Sequence, residues 1–81
     1  MIIFDETSNK SLDNITLLLT KNEATQMIGY LEDLLLNTEK NEHYHLNNDS
    51  YSKEITIAFY NKVGCLDNFS SKYKNLILSE L

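Results

Sequence analysis

The segment that begins at Thr20 constrains this chain more than any other. Thr20-Lys21-Asn22-Glu23 has the spacing of a capping box, in which the Thr20 side chain and the Glu23 side chain each satisfy the other residue's backbone N–H. Behind it, Ala24, Met27, Ile28, Leu31, Leu34 and Leu35 recur at helical spacing. The pattern predicts an amphipathic helix of roughly 15 residues that ends near Asn37. A helix of that length draws most of its stability from packing its apolar face, so the rest of the chain must cover it. Gly29 falls on the opposite side, with Thr25, Glu32 and Leu36. There it reads as a tolerated surface glycine, costing about 1 kcal/mol relative to alanine, or as a point of close approach for a partner.

The cover is expected from strands. Asn14 to Thr20 alternates, with Ile15, Leu17 and Leu19 on one face and Thr16, Leu18 and Thr20 on the other. His43 to Asn47 places Tyr44 and Leu46 against His43, His45 and Asn47, and Lys53 to Tyr60 groups Ile55, Ile57 and Phe59. Between these two segments, Asn47-Asn48-Asp49-Ser50 is a turn signal, so a hairpin is the economical pairing. Residues 1–4 read as a short edge strand, and Thr7 to Asn14, rich in Ser, Asn and Asp, reads as a loop. A second helix is expected from Asp67, a plausible cap, to Leu81, with Phe69, Tyr73, Leu76 and Ile77 at helical spacing. The expected fold is α+β, a two-layer arrangement of a mainly antiparallel sheet with two helices on one face, in the order β-β-α-β-β-α.

With 81 residues the chain suits one domain, spanning residues 1–81, with a thin core. A pocket of ~300 Å³ or more would take volume that such a core can hardly spare. The single cysteine, Cys65, permits no intrachain disulfide, which points to a reducing compartment. The opening Met1-Ile2-Ile3-Phe4-Asp5-Glu6 lacks the basic and apolar regions of a signal peptide, and no apolar run approaches the ~20 residues of a membrane span. A cytoplasmic protein without a membrane role is expected. The formal charge of −5 is uneven: residues 1–49 carry nine acids and three lysines, residues 50–81 three acids and four lysines. Arginine, the commonest bidentate reader of bases and phosphates, is absent, which argues against nucleic-acid binding. The acidic half serves either ordinary solubility or the steering of a basic protein partner.

Candidate chemistry is sparse. His43 and His45 alternate along a strand and so face one side, where they and Glu54 of the neighbouring strand offer a metal reading. Two histidines do not close a site, and the competing readings are a solvated strand face or interface contacts. Cys65 has no nearby histidine and no CxxC partner, so it reads as a small packing residue. The pairs Asp5-Glu6 and Glu32-Asp33 are adjacent rather than aimed at one reaction centre, and no nucleotide, zinc-protease or serine-hydrolase motif occurs. No catalytic residue and no cofactor is expected. Five tyrosines are many for this length, and tyrosine suits interfaces through its rigid apolar ring and polar tip.

The succession Ile15-Thr16-Leu17, Leu19-Thr20-x-x-Glu23-Ala24, Tyr30-Leu31-x-x-Leu34, His43-Tyr44-His45-Leu46 and Glu54-Ile55-Thr56-Ile57, covering residues 14–59, resembles small bacterial α+β proteins associated with toxin immunity. That resemblance implies a cytoplasmic protein that binds and neutralises a toxin domain without catalysis of its own, and it assigns no contact residue. The leading expectation is a stoichiometric protein-binding module, an immunity-type inhibitor that occludes a basic partner surface. Its expected partner-binding residues are Tyr30, Glu32, Asp33, Glu39, Glu42, Tyr44 and Asp49. Two alternatives stand beside it: a homo-oligomeric accessory protein joined through Leu18, Leu36 or a strand edge, and a small metal-dependent protein using His43 and His45.

Overall fold

In the computed structural model, which describes residues 1–37, 43–60 and 69–79, the capping box is formed as expected. Glu23 N–H donates to Thr20 Oγ1 at 3.2 Å, and Thr20 N–H donates to Glu23 Oε1 at 2.9 Å. Helix α1 runs Lys21–Leu36 and stops at Asn37, whose backbone N–H bonds the Asp33 carbonyl. Before it come strands β1 (Ile3–Asp5) and β2 (Lys10–Leu12), and after it β3 (His43–Asn47), β4 (Glu54–Ala58) and helix α2 (Ser71–Ser79). The class is α+β and the order β-β-α-β-β-α, with every described strand pairing antiparallel.

The antiparallel strands form two separate two-stranded ladders, β1–β2 and β3–β4. The second strand also lies elsewhere than the alternation at Asn14–Thr20 suggests: residues 14–20 join no ladder among the described residues, and β2 falls inside the stretch read as a loop. The reason is local turn chemistry. The Asp5 carboxylate accepts from Thr7 N–H at 3.0 Å and from the Ser8 hydroxyl at 2.6 Å, while Asn9 adopts a left-handed φ of 58°. These contacts reverse the chain early and register Ile3 against Leu12, Phe4 against Ser11 and Asp5 against Lys10. Alternation at 14–20 describes a side-chain pattern, but a strand also needs a neighbour to bond.

In the second hairpin, Tyr44 stands opposite Ile57, and Leu46 opposite Ile55. Helix α1 packs on β3, burying Leu34 and Leu46. The Tyr30 and Tyr44 rings stack at 4.7 Å and 3°, and Tyr44 Oη donates to Asp33 Oδ2 at 2.8 Å. Two strands make a narrow platform, however, and they cover only part of the helix's apolar arc. Ala24, Met27 and Tyr30 are half-buried beside buried Leu34, whereas Ile28, Leu31 and Leu35 remain exposed.

Helix α2 buries Ile77 and half-buries Tyr73 and Leu76. The cap expected at Asp67 lies outside the described residues, as do residues 80–81 of the expected helix. Tyr73 and Lys72 tie α2 to β1. Tyr73 Oη donates to Glu6 Oε1, and Lys72 Nζ bonds Glu6 Oε2 at 2.9 Å. Phe4 meets Tyr73 edge-on at 6.2 Å, and the Lys72 ammonium lies 4.8 Å from the Phe4 ring centroid. The hydrogen bond from Tyr73, then that from Lys72, holds the Glu6 carboxyl below its ordinary 4.5. The same bond to Glu6 raises the Tyr73 phenol above its ordinary 10.0.

Thr20→Ala should lower stability by about 1 kcal/mol through loss of the cap, and Leu34→Ala by about 2–5 kcal/mol through the cavity it leaves. Urea unfolding followed by circular dichroism reads both. Because the Glu6 carboxyl is depressed, its contribution is present above the unfolded carboxyl's pKa and fades as pH falls through the folded value. Tyr73, being raised, contributes below its ordinary value and loses that contribution as pH rises through the folded one. The Tyr73 ring resonances should therefore shift as Glu6 protonates in acid, and Glu6→Gln should abolish that step. An identical acid titration in the variant would place its origin elsewhere.

Candidate functional site

Three of the seven residues expected to bind a partner come together where α1 crosses β3. Tyr30 stacks on Tyr44, and Tyr44 bonds Asp33. The stacked faces of the two rings are therefore occupied by each other, and Asp33 is engaged in positioning Tyr44. Glu32 is exposed on α1, and Asp49 is exposed in the β3–β4 turn. Glu39 and Glu42 lie outside the described residues.

The histidines stand on one side of β3 as alternation requires, with ring centroids 5.0 Å apart and planes at 87°. His45 Nδ1 lies 2.9 Å from Thr56 Oγ1 and 3.6 Å from Glu54 Oε1, so the carboxylate named as a third ligand does approach one imidazole. No group of three or more His, Cys, Asp or Glu side chains among the described residues is arranged to hold a metal ion. Cys65 lies outside the described residues. No helix among the described residues is long and apolar enough to cross a membrane.

Two features emerge that were not assembled from the sequence. The first is the ridge of α1. Ile28, Leu31 and Leu35 are 58%, 46% and 69% exposed, and their spacing aligns them along the helix. Glu32, four residues after Ile28 and three before Leu35, borders this ridge with a carboxylate. The apolar residues were legible in the helical pattern. Their exposure was not, because it depends on the width of the sheet beneath.

The second feature is a polar cleft of about 320 Å³ between the middle of α1 and the β3–β4 turn. Gln26 and Tyr30 line it from the helix, His45 and Asn47 from β3, and Asn48, Asp49 and Tyr51 from the turn. Asn48 organises that turn. Its Oδ1 accepts from Lys53 N–H at 3.0 Å, its Nδ2 donates to Ser52 Oγ at 3.0 Å, and its carbonyl accepts from Tyr51 N–H at 2.9 Å. The bracing holds Tyr51 at a φ of 55°, a left-handed conformation that an aromatic residue rarely adopts, and leaves its side chain exposed. Asn47-Asn48-Asp49-Ser50 announced the turn, whereas nothing local announced the role of the tyrosine that follows.

Neither feature contains a nucleophile paired with a base. Comparison with known proteins finds no family model, curated protein or solved structure that matches this chain.

Proposed function

We propose that this protein is a stoichiometric protein-binding module whose partner presents a basic surface, in the manner of an immunity-type inhibitor that occludes a toxin domain. The observation that carries this reading is the exposed α1 ridge of Ile28, Leu31 and Leu35 bordered by Glu32. Leaving three such side chains about half in water forgoes on the order of 1 kcal/mol each in burial, which association recovers in part. The partner's basic character follows from the formal charge of −5 and its concentration in residues 1–49.

The ridge supplies contact area and the acids supply orientation. An apolar strip with charge along its border resembles the dry centre and polar rim of a protein interface. Occlusion needs no chemistry from this chain. A second copy is the other occupant this surface favours, since Leu18 and Leu36, expected to make a self-contact, are 90% and 80% exposed.

Native mass spectrometry of the tagged chain recovered from its own cells tests the stoichiometry, and titration calorimetry with the recovered partner tests the surface. Leu31→Ala and Leu35→Ala should each weaken the complex about tenfold or more. The combination Glu32→Gln, Asp33→Asn and Glu39→Gln should weaken it at low salt and flatten its salt dependence. Affinity at low salt that ignores all three acid substitutions would remove the basic-partner reading. A complex of the chain only with itself would transfer the ridge to the homo-oligomer.

A further inference from the structure

The cleft and the open edge of β3 form one surface, and backbone register shows how. Asn48 N–H donates to the Lys53 carbonyl at 3.3 Å, one step beyond the Asn47–Glu54 pair. Hydrogen-bonded and non-bonded pairs alternate along an antiparallel ladder. Leu46–Ile55 and Tyr44–Ile57 are then the bonded pairs, while Asn47–Glu54, His45–Thr56 and His43–Ala58 are the non-bonded ones. In a non-bonded pair each residue points its N–H and C=O away from the neighbouring strand. His43, His45 and Asn47 thus offer their backbone groups along the outer edge of β3, and no strand among the described residues pairs with that edge.

The cleft lies alongside this edge. Tyr44 and Leu46 belong to the helix-facing side of β3, and His45 and Asn47 to the other. A cleft lined by both His45–Asn47 and the helical residues Gln26 and Tyr30 therefore runs around the strand's free margin. The side chains of Gln26, Asn47 and Asp49 make no hydrogen bond or ion pair among the described residues, and Asp49 carries the one carboxylate in the lining. The exposed Tyr51 ring adds an aromatic face. Amide oxygens, one carboxylate and an aromatic ring together suit a guanidinium, which is planar, has five donors and accepts nothing. An anion would meet Asp49 without a lysine or arginine in the lining to offset it.

We infer that the outer edge of β3 pairs with an extended segment of the partner, and that the adjoining cleft seats an arginine side chain of that segment. Main-chain bonds to His43, His45 and Asn47 supply affinity, as in other cases of strand addition, and the cleft supplies selection. The inference rests on the protein-binding reading and adds the mode of engagement. It uses a surface distinct from the α1 ridge.

The test uses the full-length, isotope-labelled protein and a capped pentapeptide with a central arginine flanked by valines and threonines. Saturable resonance shifts at His45, Asn47, Asp49 and Tyr51 are expected, with slowed amide exchange at His45 and Asn47. Replacing the arginine by citrulline, or Asp49 by Asn in the protein, should weaken binding about tenfold by removing a charge-assisted bond. A peptide N-methylated on the edge that would meet β3 should lose the exchange protection. Absence of saturable shifts, or shifts indifferent to both citrulline and N-methylation, would overturn the inference. If the peptide fails while the native complex still responds to Leu31→Ala and Leu35→Ala, the strand-addition inference falls and the binding module stands. If the peptide binds as described but no protein complex forms in cells, the edge site stands and the reading under which it was placed falls.

Discussion

The packing of α1 on β3 is the contact on which the remaining architecture depends. Leu34 and Leu46 are two of the three buried apolar residues among those described, and each comes from one side of this contact. The Tyr30–Tyr44 stack and the Tyr44–Asp33 bond lie beside them and fix the rotation of the helix on the strand. A helix of 16 residues with a sound cap is still marginal alone, and a two-stranded hairpin is marginal too. Each is made persistent by the other. Loss of Leu34 would accordingly be felt in the hairpin as well as in the helix.

The contact between β1 and α2 meets the same shortage of core differently. Ile77 is the buried apolar residue of α2, and β1 and α2 are joined through Phe4, Glu6, Lys72 and Tyr73. One carboxylate collects a phenol and an ammonium, and the ammonium also lies near both aromatic rings. The pair is substantially exposed, so its worth is modest and sensitive to salt. What it contributes is register between segments more than sixty residues apart in sequence. That dependence on a titrating carboxylate links the placement of α2 to pH.

Local signals in the sequence were the legible ones. Thr20 and Glu23 announced the start of α1, and Asn37 its end, because capping is settled within a few residues. The β3–β4 hairpin was equally readable, since apolar alternation on both strands and the Asn-Asp-Ser turn all require the same pairing. The first hairpin was not, because Asp5, Thr7, Ser8 and Asn9 look like any polar loop until their side-chain bonds close it. The segment 14–20 carried a strand's alternation without a strand's neighbour, and neighbours are a tertiary fact. For the site, Tyr30, Asp33 and Tyr44 are expected partner-binding residues, and geometry shows them in contact with one another. Gln26, Asn47 and Tyr51 escaped notice because a cleft draws on residues from three elements, and no spacing rule spans them.

The exposure of Ile28, Leu31 and Leu35 follows from the same geometry that makes the fold possible. A wider sheet beneath α1 would bury the ridge and stabilise the monomer, and it would also pair the outer edge of β3. Stopping at two strands leaves both features available, at the expense of a thinner core. A long unpaired edge invites indiscriminate association, and natural proteins blunt such edges with charge and with short strands. β3 has five residues, and the turn beyond it places Asp49 at the margin of the cleft. These features leave the edge accessible to a short segment while discouraging a long apolar or acidic one. The ridge has no such guard beyond Glu32. Under the proposed binding function, discrimination between partners would reside at the β3 edge and contact area at α1, and the narrow hairpin produces both.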